Sequence, residues 1–488
     1  MTKTKVAPHL FVILGGTGDL AQRKLFPALY QLLAEKKIKD IPHILGVGTR
    51  DISDDAFRDN TRKALDNAGI SSDDTKAWCS KRLHYRSVDS SLGGYDNLEK
   101  AVRTLEKKHD LAGNRVFYLA LPPDIVSKAV EELGQRNLHS SSGWVRLVIE
   151  KPFGKDLDSA KELNQKIHTY FSESQVFRID HYLGKETVQN LLIFRFANTM
   201  FEALWNRKYI AQVQITVAES IGIEGRARFY EQAGAVKDIV QNHIIQLVTL
   251  TAMEVPALFE PEFIRNEKVK VLHSMDEVNP TNVVYGQYKN GRIEDKKVKG
   301  YKEEKGVDDG SRTETFAAMK LEINNWRWKG VPFYIRTGKR LPRRLTQIVV
   351  EYQQPPVCMF QPFQHCQIHP NRLLITLQPN EGFDLSFDVK KPADTLQLQT
   401  EKLNFSYKDA FGPLPEAYET LLFDIMRGDQ TLFVRNDEAE LSWKRLQPLL
   451  TRNIPIYPYV AGKWGPSEAD KLFTPSSPRA WINPEKPS

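Results

Sequence analysis

The chain has 488 residues, of which 41% are hydrophobic and 26% are charged. That composition is ordinary for a globular protein and excludes a collagen-like, coiled-coil or wholly disordered chain. The length exceeds what one compact core normally organises, so we expect two domains. The net charge of +7 comes from 68 basic and 61 acidic residues without a dense basic block, which favours small anionic ligands and excludes a nucleic-acid partner.

The beginning of the chain carries two lysines followed by a short apolar run over residues 9–14. This run is too short for the core of a signal peptide and far too short to span a membrane. We therefore expect a cytoplasmic protein that does not associate with a membrane.

The three cysteines, Cys79, Cys358 and Cys366, are too few and too scattered for a disulfide framework. Two of them crowd with His365 and His369, which raises the possibility of a metal site. However, the thiols lack a CxxC spacing, and the stretch is rich in Pro and Gln. A surface loop is the better interpretation, and we expect no metal.

The first third of the chain alternates short apolar runs with helical patterns. Such alternation predicts βαβ units and a parallel sheet, whose buried strands should be continuously apolar, as these runs are. We expect an α/β, Rossmann-like, doubly wound domain over residues 1–179. The predicted elements are strands at Leu10–Leu14, Ile41–Val47, Arg115–Leu121 and Trp144–Ile149, and a helix at Asp19–Glu35.

After about residue 180 the pattern changes. Several runs alternate polar and apolar residues at period two, which predicts antiparallel strands with one covered face. A charged stretch over residues 289–310 predicts a surface loop, and the Pro-rich end from Pro466 is expected to be partly frayed. We expect an α+β domain over residues 180–488 with a large, mainly antiparallel sheet. The predicted elements are strands at Ile210–Glu219, Thr346–Tyr352, Arg372–Gln378 and Phe383–Val389, and a helix at Gly234–Met253.

A glycine-rich turn joins the first predicted strand to the first helix. Glycines let the backbone turn tightly and approach a pyrophosphate, whose charge lies against the N–H groups that open the helix. The spacing is GxxGxxA rather than GxGxxG, and similar turns without a ligand are common. The position at the first strand of a βαβ run is what favours a dinucleotide site. The residues assigned to the coenzyme are Gly15, Gly16, Thr17, Gly18, Asp19 and Leu20.

Arg50 and Asp51 follow the second predicted strand. In dinucleotide-binding folds this position faces the adenosine ribose, where an acidic residue selects NAD and a basic residue accommodates the 2′-phosphate of NADP. Arg50 therefore favours NADP as the coenzyme, while Asp51 leaves the use of NAD possible.

Three further segments carry titratable side chains: Glu150–Gly154 (EKPFG), Arg178–Glu186 (RIDHYLGKE) and Gln241–His243. Singly, each has an ordinary explanation as a loop, a solvated charged run or a histidine of the core. Together with the glycine turn they resemble the glucose-6-phosphate dehydrogenases, and RIDHYLGKE with EKPFG is highly specific to that family. The resemblance covers nearly the whole chain, including residues 117–123, 313–317, 336–339, 378–381 and 465–470.

The resemblance implies an NADP-dependent oxidation of glucose 6-phosphate to 6-phosphogluconolactone, the first step of the oxidative pentose phosphate pathway, by a homodimer or homotetramer. It implies a catalytic dyad of Asp180 and His243, with Lys151 between the sugar and the nicotinamide. It also places the following residues on the substrate: His181, Tyr182 and Lys185 at the phosphate, and Glu219, Asp238, Lys339, Arg344 and Gln378 around the sugar.

The chemistry of hemiacetal oxidation fits His243 as the base. As hydride leaves C1, a base must take the O1 proton, and histidine has a suitable pKa near neutral pH. A carboxylate must orient the imidazole. Asp238 is five residues away, about 500° around an α-helix, which leaves the two side chains about 140° apart. This separation favours Asp180 as the orienting carboxylate and Asp238 as a partner of the sugar.

Some relatives hold a second, structural NADP between basic residues. Here the corresponding stretches read Leu345–Val349, with Thr376 and Trp464 further on, so several of those positions are not basic. We therefore expect no structural NADP, as in bacterial members of the family.

Two other functions compete with this interpretation. One is an oxidoreductase of non-phosphorylated sugars, because Glu-Lys-Pro after a Rossmann strand also occurs there; His181, Tyr182 and Lys185 speak against it. The other is a non-catalytic regulator that senses dinucleotides, which predicts a broken dyad or a missing sugar pocket.

Overall fold

The computed structural model describes residues 6–35, 37–38, 42–88, 94–357, 368–392, 397–473 and 479–484. The chain divides into two compact units. The first comprises residues up to Lys185 together with Ala257–Arg265 and Pro415–Glu440; the second comprises Glu186–Pro256, Asn266–Leu414 and residues from Leu441 onward. The domain boundary at residue 180 stays a prediction. Every helix in the described ranges is too short or too polar to cross a membrane.

Eighteen strands and fourteen α-helices make up the regular structure of these ranges. The strands are β1 Leu10–Leu14, β2 His43–Gly48, β3 Leu83–Ser87, β4 Arg115–Leu119, β5 Val145–Ile149, β6 Val176–Ile179, β7 Ile210–Ala218, β8 Val283–Lys289, β9 Gly291–Ile293, β10 Lys296–Val298, β11 Phe316–Leu321, β12 Phe333–Gly338, β13 Leu345–Tyr352, β14 Arg372–Gln378, β15 Gly382–Lys390, β16 Leu398–Ser406, β17 Phe433–Val434 and β18 Ile456–Val460. The helices are α1 Phe26–Ala34, α2 Asp54–Asn67, α3 Asp73–Arg82, α4 Gly94–His109, α5 Pro123–Gln135, α6 Leu157–Tyr170, α7 Glu186–Phe196, α8 Thr199–Leu204, α9 Ala227–Ala235, α10 Ile245–Ala252, α11 Pro261–Ser274, α12 Tyr407–Phe411, α13 Ala417–Arg427 and α14 Asn436–Leu450.

Six parallel strands form the sheet of the first unit in the order β6-β5-β4-β1-β2-β3, with β17 antiparallel beside β6. This is the strand order of the doubly wound dinucleotide-binding fold, whose ligand site lies at the carboxyl ends of the strands. β1 and β4 are buried along their whole length, as continuous apolar runs predict. The four strands predicted here are confirmed, with ends that differ by up to two residues.

Residues 415–440 complete the first unit from far along the chain. Arg146 on β5 donates from Nη1 to the carbonyl oxygens of Ile425 and Met426, both at 2.7 Å, and so caps the last turn of α13. Gln430 donates from Nε2 to the carbonyl of Val176 at 2.8 Å. Because these hydrogen bonds join residues more than 250 positions apart, no local pattern predicts them.

Nine strands form the sheet of the second unit, in the order β16-β15-β14-β13-β7-β12-β11-β8-β18. Neighbours run antiparallel except for β7 with β12 and β8 with β18, which are parallel. The predicted large, mainly antiparallel sheet is therefore confirmed.

The prediction that these strands have one covered face is wrong for β7 and β13, which are buried along their whole length. Their polar residues suggested an exposed face, but they are hydrogen-bonded inside. Gln212 donates from Nε2 to Glu351 at 2.8 Å, and the Arg336 guanidinium donates to the Thr216 hydroxyl at 3.0 Å. Polar groups can be buried when they are satisfied in this way. Strand β16, in contrast, is mostly exposed.

Residues 479–484 cover part of this sheet. Gln214 on β7 donates to the Ala480 carbonyl at 2.8 Å and accepts from the Ile482 N–H at 2.9 Å. The Trp481 side chain is buried in the same core cluster as Tyr334 and Phe473. The expectation of a frayed end is therefore wrong for this segment, because its backbone and side chains are tied to the sheet.

The predicted surface loop over residues 289–310 contains the two-stranded hairpin of β9 and β10. Its two turn residues, Glu294 and Asp295, have φ angles of 46° and 61°. Two-residue hairpin turns with positive φ usually contain Asn or Gly, so the sequence lacks the usual signal for this hairpin.

Candidate active site

The glycine turn after β1 requires residues without side chains. Gly15 has φ +91°, and a Cβ there would lie 2.1 Å from the carbonyl oxygen of Ala120. A Cβ on Gly16 would lie 2.9 Å from the Cα of Gly46. Both N–H groups donate to the carbonyl of Val47, at 2.8 and 2.9 Å. The turn thus keeps the close backbone approach that a dinucleotide needs, so these residues fit the coenzyme.

The rest of the turn lies at the surface and starts the first helix. Gly18 donates from its N–H to the Gly15 carbonyl at 2.8 Å. Thr17 and Leu20 are partly exposed, and Asp19 is exposed where the helix begins. The predicted helix is confirmed as a π-helical stretch, Ala21–Leu25, that runs directly into α1.

Arg50 and Asp51 both lie exposed just beyond the end of β2. The hydroxyl of Tyr85 donates to the Arg50 carbonyl at 2.6 Å and holds the backbone there. Both side chains are accessible at the carboxyl edge of the sheet, where the ribose of a dinucleotide lies in this fold.

Lys151 follows the carboxyl end of β5 and precedes a cis peptide bond to Pro152. The carboxylate of the neighbouring Glu150 accepts hydrogen bonds from the hydroxyls of Tyr118, at 2.5 Å, and Tyr418, at 3.1 Å. Burial raises the pKa of Glu150 above its ordinary value. Sequence reasoning missed this cluster; the hydroxyl of Tyr118, in a strand that is apolar except for Arg115 and Tyr118, was its local signal.

Asp180 directly follows β6 and is buried. It accepts the backbone N–H of Tyr182 at 2.9 Å. The Lys185 ammonium lies 4.2 Å from the centroid of the Tyr182 ring, and the ring of His181 lies 5.1 Å from the same ring. The structure therefore brings the three residues predicted for the substrate phosphate together, next to Asp180.

Four residues predicted for the sugar lie at one edge of the nine-stranded sheet. Glu219 follows β7, Lys339 follows β12, Arg344 precedes β13 and Gln378 ends β14. These strands are neighbours in the sheet, and β13 runs antiparallel to the other three. The ends of β7, β12 and β14 and the start of β13 therefore meet at the same edge.

Lys339 gathers two of the predicted carboxylates. Its Nζ lies 2.6 Å from Glu219 Oε2 and 3.8 Å from Asp238 Oδ2, and 4.9 Å from the centroid of the Tyr230 ring. The hydroxyl of Tyr459 donates to the Lys339 carbonyl at 2.6 Å. Carboxylates and an ammonium in this arrangement can bind the hydroxyl groups of a sugar.

Arg344 and Gln378 form a second pair at this edge. Arg344 donates from Nη2 to Gln378 Oε1 at 3.0 Å, and Gln378 donates from Nε2 to the Thr346 hydroxyl at 2.7 Å. The amide of Gln378 is thereby oriented at both ends.

The predicted helix over Gly234–Met253 is a π-helix at Val236–Ile244 that continues as α10. Asp238 and the buried His243 both lie on the π-helix. In a π-helix residue i bonds to residue i+5, so side chains five apart lie close to the same face. The separation of about 140° expected from α-helical geometry is therefore wrong. The contact of Asp238 with Lys339 is what supports its role at the sugar.

The predicted catalytic residues divide between the units: Lys151 and Asp180 belong to the first and His243 to the second. The pairing of Asp180 with His243 stays a prediction.

Three histidines of the first unit, His43, His84 and His109, have ring nitrogens within 4.8 Å of one another. Arg82 Nη1 lies 2.8 Å from His43 Nε2, so this nitrogen accepts and the ring proton is on Nδ1, which faces His84 at 3.4 Å. A histidine that binds a metal through Nδ1 needs the opposite tautomer. These contacts therefore favour a neutral, hydrogen-bonded His43 over a metal-binding one.

Of the four residues considered for a metal near residue 360, Cys358, His365 and Cys366 lie outside the described residues. His369 Nδ1 lies 3.4 Å from Asp388 Oδ1. Cys79 is buried, and burial raises the pKa of its thiol to about 11, which keeps it protonated.

The first unit has the strand order and the glycine turn of a dinucleotide-binding domain. The second unit presents charged residues at one edge of its sheet. Together they define a dinucleotide-dependent oxidoreductase. Family models show which one. The model for the glucose-6-phosphate dehydrogenase NAD binding domain matches residues 12–190, and that for the glucose-6-phosphate dehydrogenase C-terminal domain matches residues 192–482. The chain belongs to the glucose-6-phosphate dehydrogenase family.

Individual relatives agree over the full length. The chain is 43% identical over 487 residues to glucose-6-phosphate 1-dehydrogenase of Aggregatibacter actinomycetemcomitans, covering 97% of each protein. It is 44% identical over 483 residues to that of Rhizobium meliloti, covering 96% of each. A solved structure of glucose-6-phosphate dehydrogenase in complex with its substrate glucose-6-phosphate superposes with a TM-score of 0.88 at 36% identity, over 97% of this chain and all of the other.

Proposed function

We propose that this protein oxidises D-glucose 6-phosphate at C1 to 6-phospho-D-glucono-1,5-lactone and transfers the hydride to NADP, which is the first step of the oxidative pentose phosphate pathway. The observation that carries the choice of substrate is the cluster of Lys185, Tyr182 and His181 beside Asp180. An ammonium, a hydroxyl and an imidazole N–H suit a phosphate dianion, and an unphosphorylated sugar would leave them unused.

In this proposal His243 takes the O1 proton while the hydride leaves C1. Asp180 orients its imidazole and stabilises the imidazolium that forms. Lys339, Glu219 and Asp238 hold the sugar hydroxyls, because they form one ion-paired cluster at the edge of the sheet. The bound coenzyme supplies the hydride acceptor.

Turnover of glucose 6-phosphate and of glucose, measured side by side, tests the substrate. We expect the phosphorylated sugar to be favoured in kcat/KM by at least about a thousandfold, because three groups of the site would otherwise be left unsatisfied. Equal rates would contradict the phosphate role and favour a dehydrogenase of free sugars.

His243→Asn tests the base. We expect kcat to fall by about a thousandfold or more, the range that general bases contribute, with substrate affinity nearly unchanged. Binding of glucose 6-phosphate measured by calorimetry gives the affinity independently of turnover. Retained catalysis in the variant would reject His243 as the base. An inactive wild type would instead favour a regulator without chemistry.

For the coenzyme we propose NADP, because the exposed guanidinium of Arg50 lies where the adenosine ribose binds in this fold. Arg50→Ala should raise KM for NADP by about tenfold or more through the lost contact with the 2′-phosphate, and change KM for NAD little. Asp51→Ala is the matched control on the adjacent exposed residue. If Asp51→Ala weakens NAD instead and Arg50→Ala affects neither coenzyme, the preference is for NAD.

We further propose one nucleotide per subunit. Gln347 donates to the Thr376 hydroxyl at 3.1 Å, so two positions considered for a structural NADP satisfy each other without a cation. Two nucleotides per subunit in the purified protein, counted after denaturation, would contradict this. We also propose a homodimer or homotetramer, which sedimentation velocity distinguishes from a monomer.

A further inference from the structure

Glu314 is joined to the start of the π-helix that carries Asp238 and His243. Its Oε1 accepts the N–H of Val236 at 3.1 Å, and its own carbonyl accepts the N–H of Ala235 at 3.0 Å. The first N–H groups of a helix have no acceptor within the helix, so this residue from 78 positions away supplies what a capping side chain would supply.

Gly234 makes room for this contact. Its φ of 58° and ψ of −175° belong to a region that only glycine adopts readily. A Cβ there would lie 2.2 Å from Glu314 Oε1 and 2.6 Å from Oε2. The backbone turn between α9 and the π-helix and the position of the Glu314 carboxylate therefore depend on each other.

The next residue, Thr315, continues the connection toward the sugar cluster. Its carbonyl accepts the N–H of Lys339 at 2.9 Å, and the hydroxyl of Tyr459 contacts the carbonyls of both Thr315, at 3.3 Å, and Lys339, at 2.6 Å. Glu314 thus holds the start of the helix that bears Asp238. The adjacent Thr315 holds the backbone of Lys339, which pairs with Asp238.

We infer that Glu314 is a positioning residue of the active site: by accepting the N–H of Val236 it fixes the helix of Asp238 and His243 relative to Lys339. It touches neither substrate nor coenzyme in this role, and the inference rests on the proposed function. Asp238 lies two residues after the capped N–H, so loss of the acceptor should displace this carboxylate first and weaken binding of the sugar.

Three variants test the inference. Glu314→Ala removes the acceptor, and Glu314→Gln keeps an amide oxygen in its place. Glu351→Ala is the matched control. Its carboxylate lies on β13 of the nine-stranded sheet, accepts hydrogen bonds from Gln212 and Arg372, both at 2.8 Å, and has no part in the site. The measurements are steady-state kinetics for both substrates, thermal unfolding, and deuterium exchange of the amides over residues 236–244.

For Glu314→Ala we expect kcat/KM for glucose 6-phosphate to fall by about tenfold or more, since small displacements of binding groups are costly, while KM for NADP stays within about twofold. Exchange over residues 236–244 should become faster in the same variant. Glu314→Gln should restore both properties to within about threefold of the wild type. Glu351→Ala should lower the unfolding temperature only.

Kinetics of Glu314→Ala that match those of Glu351→Ala would overturn the inference, and so would a Glu314→Gln variant as impaired as Glu314→Ala. A wild type without activity on glucose 6-phosphate would instead refute the proposed function. In that case the exchange of residues 236–244 in the two Glu314 variants still decides whether Glu314 holds the helix.

Discussion

Gly15 and Gly69 both have positive φ, at +91° and +76°, yet their surroundings differ. At Gly15 a Cβ would meet the backbone of Ala120 at 2.1 Å, whereas at Gly69 no atom lies within 4 Å of it. Both positions carry the conformational strain that any L-residue would feel in the left-handed region. Gly15 alone adds a collision with backbone that cannot move without shifting the strand end.

The pair of variants Gly15→Ala and Gly69→Ala separates these two effects. We expect Gly69→Ala to lower the free energy of unfolding by about 1 kcal/mol and to leave the kinetics unchanged. Gly15→Ala should cost about 3 kcal/mol or more and raise KM for NADP at least about tenfold, because the turn must open. Urea unfolding and steady-state kinetics measure both; similar costs at the two sites would show that the contact with Ala120 is unimportant.

The sequence predicts where several candidate site residues lie in the fold, while their roles stay predictions. Asp180, Glu219 and Lys339 each follow directly on a strand, and Lys151 follows one residue later, so a local motif and the edge rule of sheets predict their positions. Tyr418 escaped prediction because its contact with Glu150 spans 268 positions and leaves no local trace.

At the scale of elements, the π-helix at Val236–Ile244 is the feature that periodicity did not predict. An apolar pattern over 234–253 fits a π-helix and an α-helix almost equally, and its side chains alone do not show where bonds change from i+4 to i+5. The prediction of an exposed face on β7 and β13 was wrong for a related reason. A sequence pattern shows which residues are polar, but it does not show that Gln212 and Gln214 form hydrogen bonds in the interior.

Glu314 at the start of this helix predicts a pH effect. Burial raises the pKa of Glu314 from 4.5 to about 7, against the opposing effects of hydrogen bonds at Val236 and the charge of Lys237. Between pH 4.5 and about 7 the carboxyl group of Glu314 is protonated in the folded chain and ionised in the unfolded chain. The contribution of Glu314 to the free energy of unfolding is therefore complete below pH 4.5 and is lost as the pH rises through 7.

Glu314→Gln removes this titration. Its free energy of unfolding relative to wild type should therefore increase from about pH 5 to about pH 8, by about 1–2 kcal/mol, since Glu314 is partly exposed and solvent screens part of the effect. Urea unfolding at the two pH values measures the difference, with Glu351→Gln as the control for loss of a buried carboxylate. A constant difference between Glu314→Gln and wild type would argue against the raised pKa.

At the scale of the whole molecule, three histidines near the amino edge of the first sheet predict that acid lowers the free energy of unfolding. Burial lowers the pKa of His9 to about 4, of His43 to about 3 and of His84 to about 4. Neighbouring cations, Arg82 among them, add to the shift at His43. Below 6.5 the unfolded chain takes up protons that the folded chain excludes, so stability present at neutral pH is lost as the pH falls toward 4.

His43→Gln should weaken that dependence. Between pH 6.5 and about 5, each buried neutral histidine lowers the free energy of unfolding by up to about 1.4 kcal/mol for every pH unit of acidification. The variant should lack the part of this slope that His43 contributes. His273→Gln, on an exposed position, is the control. Equal acid slopes for the wild type and both variants, measured by urea unfolding, would show that His43 is not held neutral.

The hydrogen bonds from Gln214 to residues 480 and 482, and those that tie Arg146 and Val176 to residues 425–430, have a consequence for synthesis. The first unit lacks residues 415–440, and the second lacks residues 480–482, until the ribosome has translated those segments. At roughly 5–20 residues per second, the first sheet waits on the order of 10–50 s for the segment that finishes its edge. Nascent chains stalled before residue 415 should therefore not complete the fold of the first unit.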